Sequence, residues 1–242
     1  MEELKKIVSR IVAILLITFL PCAGLLLIYF YTAPKIAEYY DVKEKRAVLD
    51  IFRIPYRTLE KKFMGFQFKT YDKKDIQEVF LKNITIEEPR VSWELHTSGR
   101  EADLEKSENS HGKKVFKYVK GGNLQGIGFV ESKRGYGYNK SSTMSLFICL
   151  EPDLETLKGI EVLDHSETPG LGGRITEEQF KKQFIGKKVQ PKIIMVKGRD
   201  AKGANEFDAI TGATNTSKGI AAFINDAVQE FWEGQKEMTW QD

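Results

Sequence analysis

The sequence predicts a two-layer α+β domain behind a single N-terminal transmembrane helix, and three observations carry that prediction. The run from Ile11 to Pro34 holds no charged side chain, in a chain that is 29% charged overall. Between residues 91 and 165, short runs rich in β-branched and aromatic residues alternate with glycines, the pattern of strands and turns. The last thirty residues carry an apolar stripe at helical spacing.

The uncharged run is 24 residues long, and about 20 suffice to span the hydrocarbon core as a helix. It exceeds the roughly 7 to 15 apolar residues of a cleavable signal, so residues 11–34 read as a permanent anchor. Pro21 removes one backbone donor, which membrane helices tolerate where neighbouring groups satisfy the freed carbonyl. Tyr29, Phe30 and Tyr31 suit the interfacial belt. Basic residues flank the run on both sides, so charge alone leaves its orientation open.

Residues 35–84 read as a helical stalk and lead-in. Ile36, Tyr39, Tyr40, Ala47, Val48, Ile51 and Phe52 recur at helical intervals, and Asp75–Ile84 forms a second amphipathic helix with Ile76, Val79, Phe80 and Ile84 on one face. Residues 85–242 form the folded domain. Its expected strands are VSWELHTS (91–98), KVFKYVKGG, LQGIGFVES, TMSLFICLE, LKGIEVLDH and KIIMV, and polar Ser98–Lys113 is expected as an exposed hairpin loop. Thr176 followed by Glu177, Glu178 and Gln179 resembles a capping box, predicting a helix start there. Ile220, Ile224, Ala227 and Phe231 mark a terminal helix from Thr216 to Gly234.

Composition narrows function. A net charge of +3 from 37 basic and 34 acidic residues is no nucleic-acid-binding surface. Cys22 and Cys149 lie in apolar runs and read as buried thiols. His96, His111 and His165 lack the spacing of metal ligands, and no serine sits in a G-x-S-x-G elbow. The informative run is Asp208 to Ser217, DAITGATNTS, just ahead of the terminal helix. Gly212 and Ala213 admit close backbone approach, Thr211, Thr214, Thr216 and Ser217 supply hydroxyls, and a helix start offers free amides and a favourable dipole. These residues fit a phosphate cradle and a hydroxyl-rich helix cap equally well.

DAITGAT resembles the flavinylation motif of the FMN-binding domains in the G subunit of the Rnf ion-translocating complex and the C subunit of the sodium-pumping NADH:quinone oxidoreductase. The resemblance implies a phosphoester between FMN and Thr214, made by a flavin transferase that requires Asp208, with Thr211, Gly212 and Ala213 completing the motif. His165–Gly172 is similar to the family's ETPGLG loop near the flavin ring, which brings in Glu167, Thr168, Leu171 and Gly172. Gly135-Tyr136-Gly137-Tyr138 is similar to its glycine-aromatic segment against the ring, implying roles for Gly135 and Tyr136, with Tyr136 or Tyr138 the ring that stacks on the flavin. No catalytic acid or base and no metal is implied. The reading is an electron-carrying subunit of an Rnf ferredoxin:NAD oxidoreductase, not an enzyme alone. Its expected partners are the complex's membrane and iron-sulfur subunits, the transferase and membrane lipid. Residues 1–10 are then cytoplasmic and the domain lies outside the bacterial inner membrane. The alternatives are the C subunit of the quinone reductase, an anchored assembly subunit with a vestigial flavin site, and a free-standing anchored flavoprotein serving extracellular reductases.

Overall fold

The computed structural model describes residues 1–87 and 114–238, so the expected strand 91–98 and loop 98–113 lie outside the described residues. The chain divides into two units, Met1–Lys43 and Glu44–Asp242. The first is built from helix α1 (Glu2–Phe52), which contains both Pro21 and Pro34. From Leu4 onward α1 is long and apolar enough to cross a membrane, and large apolar side chains from Leu4 to Tyr40, among them Leu15, Leu20, Leu27 and Phe30, stand exposed. Its threonines are satisfied locally, as lipid demands. Thr18 Oγ1 donates to the carbonyl of Ile14 at 3.0 Å and Thr32 Oγ1 to that of Ile28 at 2.8 Å.

In the second unit, α1 ends at Arg53, which takes a left-handed φ of 54°. A hairpin follows, β1 (Thr58–Phe63) and β2 (Phe66–Tyr71), turning at Met64 and Gly65, both at positive φ. This hairpin has no counterpart among the expected strands. Its turn uses Met-Gly where Asn-Gly or Asp-Gly is the usual signal. Helix α2 (Lys73–Asn83) starts earlier than expected because Asp72 is its N-cap, accepting from the amides of Lys74 at 3.0 Å and Asp75 at 3.4 Å.

The main sheet is antiparallel in the order β3 (Ile84–Glu87), β4 (Val115–Lys120), β5 (Asn123–Arg134), β6 (Thr143–Leu150) and β7 (Leu157–Asp164). Strand β6 is central to the core and buries both faces. Met144, Leu146, Ile148 and Leu150 join one apolar cluster, while Phe147 meets Phe116 edge-on, which in turn meets Phe80 of α2. The first cluster is closed by the terminal helix α4 (Thr214–Met238), whose Ile220, Phe223, Ile224, Ala227, Val228 and Phe231 form the expected stripe. Phe231 stacks on Phe129 of β5 at 4.6 Å. The α+β class thus stands, with α4 on one sheet face and α2 on the other.

A 3₁₀ turn (Gly172–Thr176) leads into the short helix α3 (Glu178–Lys182). The expected capping box does not form. Thr176 Oγ1 donates instead to the carbonyl of Gly173 at 3.0 Å, and the N-cap is Glu177, without a side-chain cap bond. Finally, β8 (Ile194–Val196) and β9 (Glu206–Asp208) form a parallel pair, with Val196 opposite Asp208.

Candidate functional site

Parallel strands point their carboxyl ends the same way, and the loops beyond them are where open α/β sheets place ligands. Past β8 lie residues 197–199. Past β9 the chain turns through 209–213 directly into α4. These loops, with Tyr138 and residues of 167–172, enclose a cleft of about 880 Å³.

The turn into α4 is built from inside by Ser217. Its hydroxyl accepts from the Ile210 amide and donates to the Ala213 carbonyl, both at 3.0 Å, while its own amide also reaches Ala213. Gly212 turns the chain at φ 82°, a conformation that favours glycine. The bond from the Ser217 amide to Ala213 begins the helical ladder, so the amides of Thr214, Asn215 and Thr216 open toward the cleft end of the dipole. Thr214 is the first residue of α4 and half-buried against the cleft.

Beneath this turn sits Glu167, 6% exposed. One carboxylate oxygen accepts from Thr216 Oγ1 at 2.5 Å, the other from the Tyr138 amide at 2.8 Å, and the Glu167 amide donates to His165 Nδ1 at 3.0 Å. The three segments singled out separately in the sequence therefore meet at one carboxylate. Gly137 and Gly172 lie so close to it that a Cβ at either would overlap its oxygens.

Ten of the thirteen singled-out residues line the cleft: Glu167, Thr168, Leu171, Gly172, Asp208, Thr211, Gly212, Ala213, Thr214 and Thr216. Ser217, Gly135 and Tyr136 do not. Ser217 is buried under the turn, and Gly135 shapes a turn whose amide donates to the Ser142 carbonyl at 3.2 Å. The Tyr136 ring meets Phe223 of α4 at 5.2 Å, and its hydroxyl donates to Asp226 at 2.6 Å. Burial first, then the Asp226 hydrogen bond, pushes this phenol's pKa up. Tyr138, 72% exposed, is the aromatic that borders the cleft.

Four lining residues carry no sequence motif: Val196, Lys197, Gly198 and Arg199. They belong to a loop fastened by acidic groups. Arg199 makes a two-pronged pair with Glu206, at 3.0 and 2.6 Å, and Glu206 also accepts from the amides of Lys202 and Gly203. The Arg199 hydrogen bond, then those two amides, pulls the Glu206 carboxyl down to about 2. Asp208 accepts from the Ala201 amide at 2.7 Å, and its own amide donates to Gln183 Oε1 at 2.8 Å. A Lys-Gly-Arg sequence straight after a strand was the available signal, but the parallel pairing that brings it beside residue 208 is not written in local sequence.

The cleft thus combines open amides and hydroxyls at a helix start, suited to a phosphate, with apolar Val196, Ile210 and Leu171 and the Tyr138 ring, suited to a flat aromatic body. Residues 135–229 match the FMN-binding domain family. That stretch contains all three motifs and the Lys197–Arg199 loop. The chain is 40% identical over 106 residues to the C subunit of the Na(+)-translocating NADH-quinone reductase of Yersinia pestis, a match covering 41% of this chain and 38% of the relative. It is 37% identical over 75 residues to the G subunit of the Na(+)-translocating ferredoxin:NAD(+) oxidoreductase complex of Acetobacterium woodii, covering 31% and 36%. The matches span less than two-fifths of the length of these two curated relatives.

Two crystal structures share this fold. NqrC of Shewanella oneidensis superposes with a TM-score of 0.52 at 20% identity, covering 76% of this chain and 89% of the other. The C subunit of the Na(+)-translocating NADH-quinone reductase from Parabacteroides distasonis gives 0.54 at 19% identity, covering 78% and 89%.

Proposed function

We propose that this chain holds FMN in the cleft at the start of α4, with its phosphate esterified to Thr214, and serves as a membrane-anchored electron-carrying subunit of an ion-translocating oxidoreductase. The observation that carries this reading is the position of Thr214. It opens α4 on the cleft, beside amides and hydroxyls that suit a phosphate, inside the stretch that matches the FMN-binding family. Bound FMN supplies reversible uptake and release of one or two electrons. The chain's task is to fix and orient it: Thr211, Gly212, Ala213 and Thr216 around the phosphate, Thr168, Leu171, Gly172 and Tyr138 around the ring, and Glu167 beneath. Asp208 and the Thr211–Thr214 run are the determinants for a flavin transferase.

α1 anchors the chain as a single pass, with the FMN-binding domain outside the cytoplasmic membrane. The assembly is of the NADH:quinone reductase or the ferredoxin:NAD oxidoreductase type. The longer match to the C subunit supports the quinone reductase at least as well as the Rnf complex. Co-purified subunits separate the two, since iron-sulfur ferredoxin-oxidising partners belong to the latter.

The test is co-expression of the full chain with a flavin transferase, followed by intact mass and in-gel flavin fluorescence. One FMN per chain is expected in the wild type and none in Thr214→Ala. An unlabelled wild type beside a labelled control domain would sink the proposal and leave the anchored assembly role.

A further inference from the structure

We infer that Lys197 is the positioning residue for the cofactor's phosphate, the cation that lets an anionic phosphate settle in this cleft; the inference rests on the FMN reading above. Among the described residues, four charged side chains line the cleft: Glu167, Lys197, Arg199 and Asp208. Glu167 and Asp208 bring two negative charges. Arg199 is committed to Glu206, which does not line the cleft but cancels its charge at 2.6 Å. Lys197 is exposed and has no hydrogen-bond or ion-pair partner among the described residues. Without it, the two carboxylates on the wall that faces a phosphate are offset by their hydrogen-bond donors, by an Arg199 already shared with Glu206 and by the α4 dipole, and no cation is left over for the phosphate among the described lining residues.

Its placement is set by the backbone. Val196 ends β8 opposite Asp208, and the Ala209 amide donates to the Val196 carbonyl at 2.9 Å. Lys197 is therefore the first residue beyond the parallel pair, alongside Ala209, where the chain departs toward Gly212 and Thr214. Positive φ at Gly198, 82°, turns the loop immediately afterwards. The loop is then held by the Arg199–Glu206 pair and by the Ala201 amide on Asp208, so Lys197 projects from a fastened loop rather than a loose one. A lysine here acts as a movable point charge on a flexible stem. It can pair with the monoester of free FMN bound non-covalently and with the single remaining charge of a phosphodiester to Thr214.

Two measurements test this. The full chain, expressed without a transferase, is titrated with FMN and with riboflavin, which lacks the phosphate. Wild type should bind FMN more tightly. Lys197→Ala should weaken FMN by about tenfold, leaving riboflavin unchanged, while Lys197→Arg restores most of it. Lys202→Ala, on the same loop but not lining the cleft, should behave as wild type. In the flavinylated chain, the ³¹P resonance of the diester should move in Lys197→Ala and return in Lys197→Arg. Equal FMN affinity in wild type and Lys197→Ala, or an unmoved ³¹P resonance, overturns the role of Lys197 while leaving the flavin reading intact. Where free flavins bind too weakly to titrate, the ³¹P comparison alone decides. A wild-type chain that neither binds FMN nor accepts it covalently removes both.

Discussion

Glu167 and Thr216 meet in a buried 2.5 Å hydrogen bond that joins the 165–172 loop to the first turn of α4. A buried carboxylate without its donors is costly, so this contact orders the cleft floor as well as connecting it. Thr216→Val keeps the shape but removes the hydroxyl, and should cost about 1.5–3 kcal/mol. For a domain of this size that lowers Tm by roughly 4–10 °C. Glu167→Gln should cost a similar amount, because its amide nitrogen must face one of two donors. The double mutant should cost less than the two singles together. Strict additivity in thermal unfolding would show that hydroxyl and carboxylate do not act as a pair.

Two glycines in the same helix should respond oppositely to alanine. A Cβ at Gly219 would overlap the backbone carbonyl of Tyr136, whereas nothing lies within 4 Å at Gly234. Alanine is the better helix former by about 1 kcal/mol at either position. At Gly234 that gain should appear as stabilisation. At Gly219 an overpacking cost of about 2–3 kcal/mol outweighs it, so Gly219→Ala should be net destabilised by about 1–2 kcal/mol. Denaturant midpoints of the two variants would check the signs. A stabilised Gly219→Ala would mean that α4 does not press on the Tyr136 turn.

Much of this fold is legible locally. The four longest strands of the sheet follow from runs rich in β-branched and aromatic residues bounded by glycines, and α4 from its 3.6-residue stripe; their apolar residues, such as Leu146 and Ile148 or Ile220 and Ile224, do fill the core. The hairpin at Thr58–Tyr71 is not legible in the sequence because exposed residues such as Phe66 and Phe68 signal no core face and Met64 is an unusual turn residue. In the site, the helix start and Glu167 were readable because short motifs hold them. Tyr136 and Tyr138 are equivalent in sequence, and only tertiary structure tells them apart: Tyr136 turns toward Phe223 and Asp226, Tyr138 toward the cleft. Lys197 and Arg199 were invisible for a different reason. They reach the site through the parallel pairing of β8 with β9, a contact between segments 12 residues apart in register that no local periodicity encodes.

The two tyrosines give a direct reading of which ring meets the flavin. In the flavinylated protein, Tyr138→Ala should raise flavin fluorescence and shift the visible absorption band, through loss of an aromatic contact worth about 1 kcal/mol. Tyr136→Phe should leave both spectra unchanged and cost only its hydrogen bond to Asp226, about 1 kcal/mol of stability. Spectra that change in Tyr136→Phe and not in Tyr138→Ala would reverse the assignment.

The loop that carries Lys197 should loosen in acid. Glu206 titrates near 2 in the folded protein because Arg199 and two amides hold it ionised, against 4.5 for the free side chain. A carboxyl depressed on folding contributes stability that is complete above the unfolded value and is lost as pH falls from about 4.5 through about 2. Arg199 stays charged throughout that range, so the change belongs to Glu206. Urea unfolding midpoints for wild type and Glu206→Gln should therefore differ most at neutral pH and converge as pH approaches 2. Asp153 does not confuse the comparison. Although burial pushes its carboxyl up, the Thr156 hydroxyl and the amides of Glu155 and Thr156 pull it well below the usual range, equally in both proteins. Parallel midpoint curves from pH 7 to 2 would show that the Arg199–Glu206 pair is not formed in solution, and Lys197 would then lose the fastened loop that aims it at the cleft.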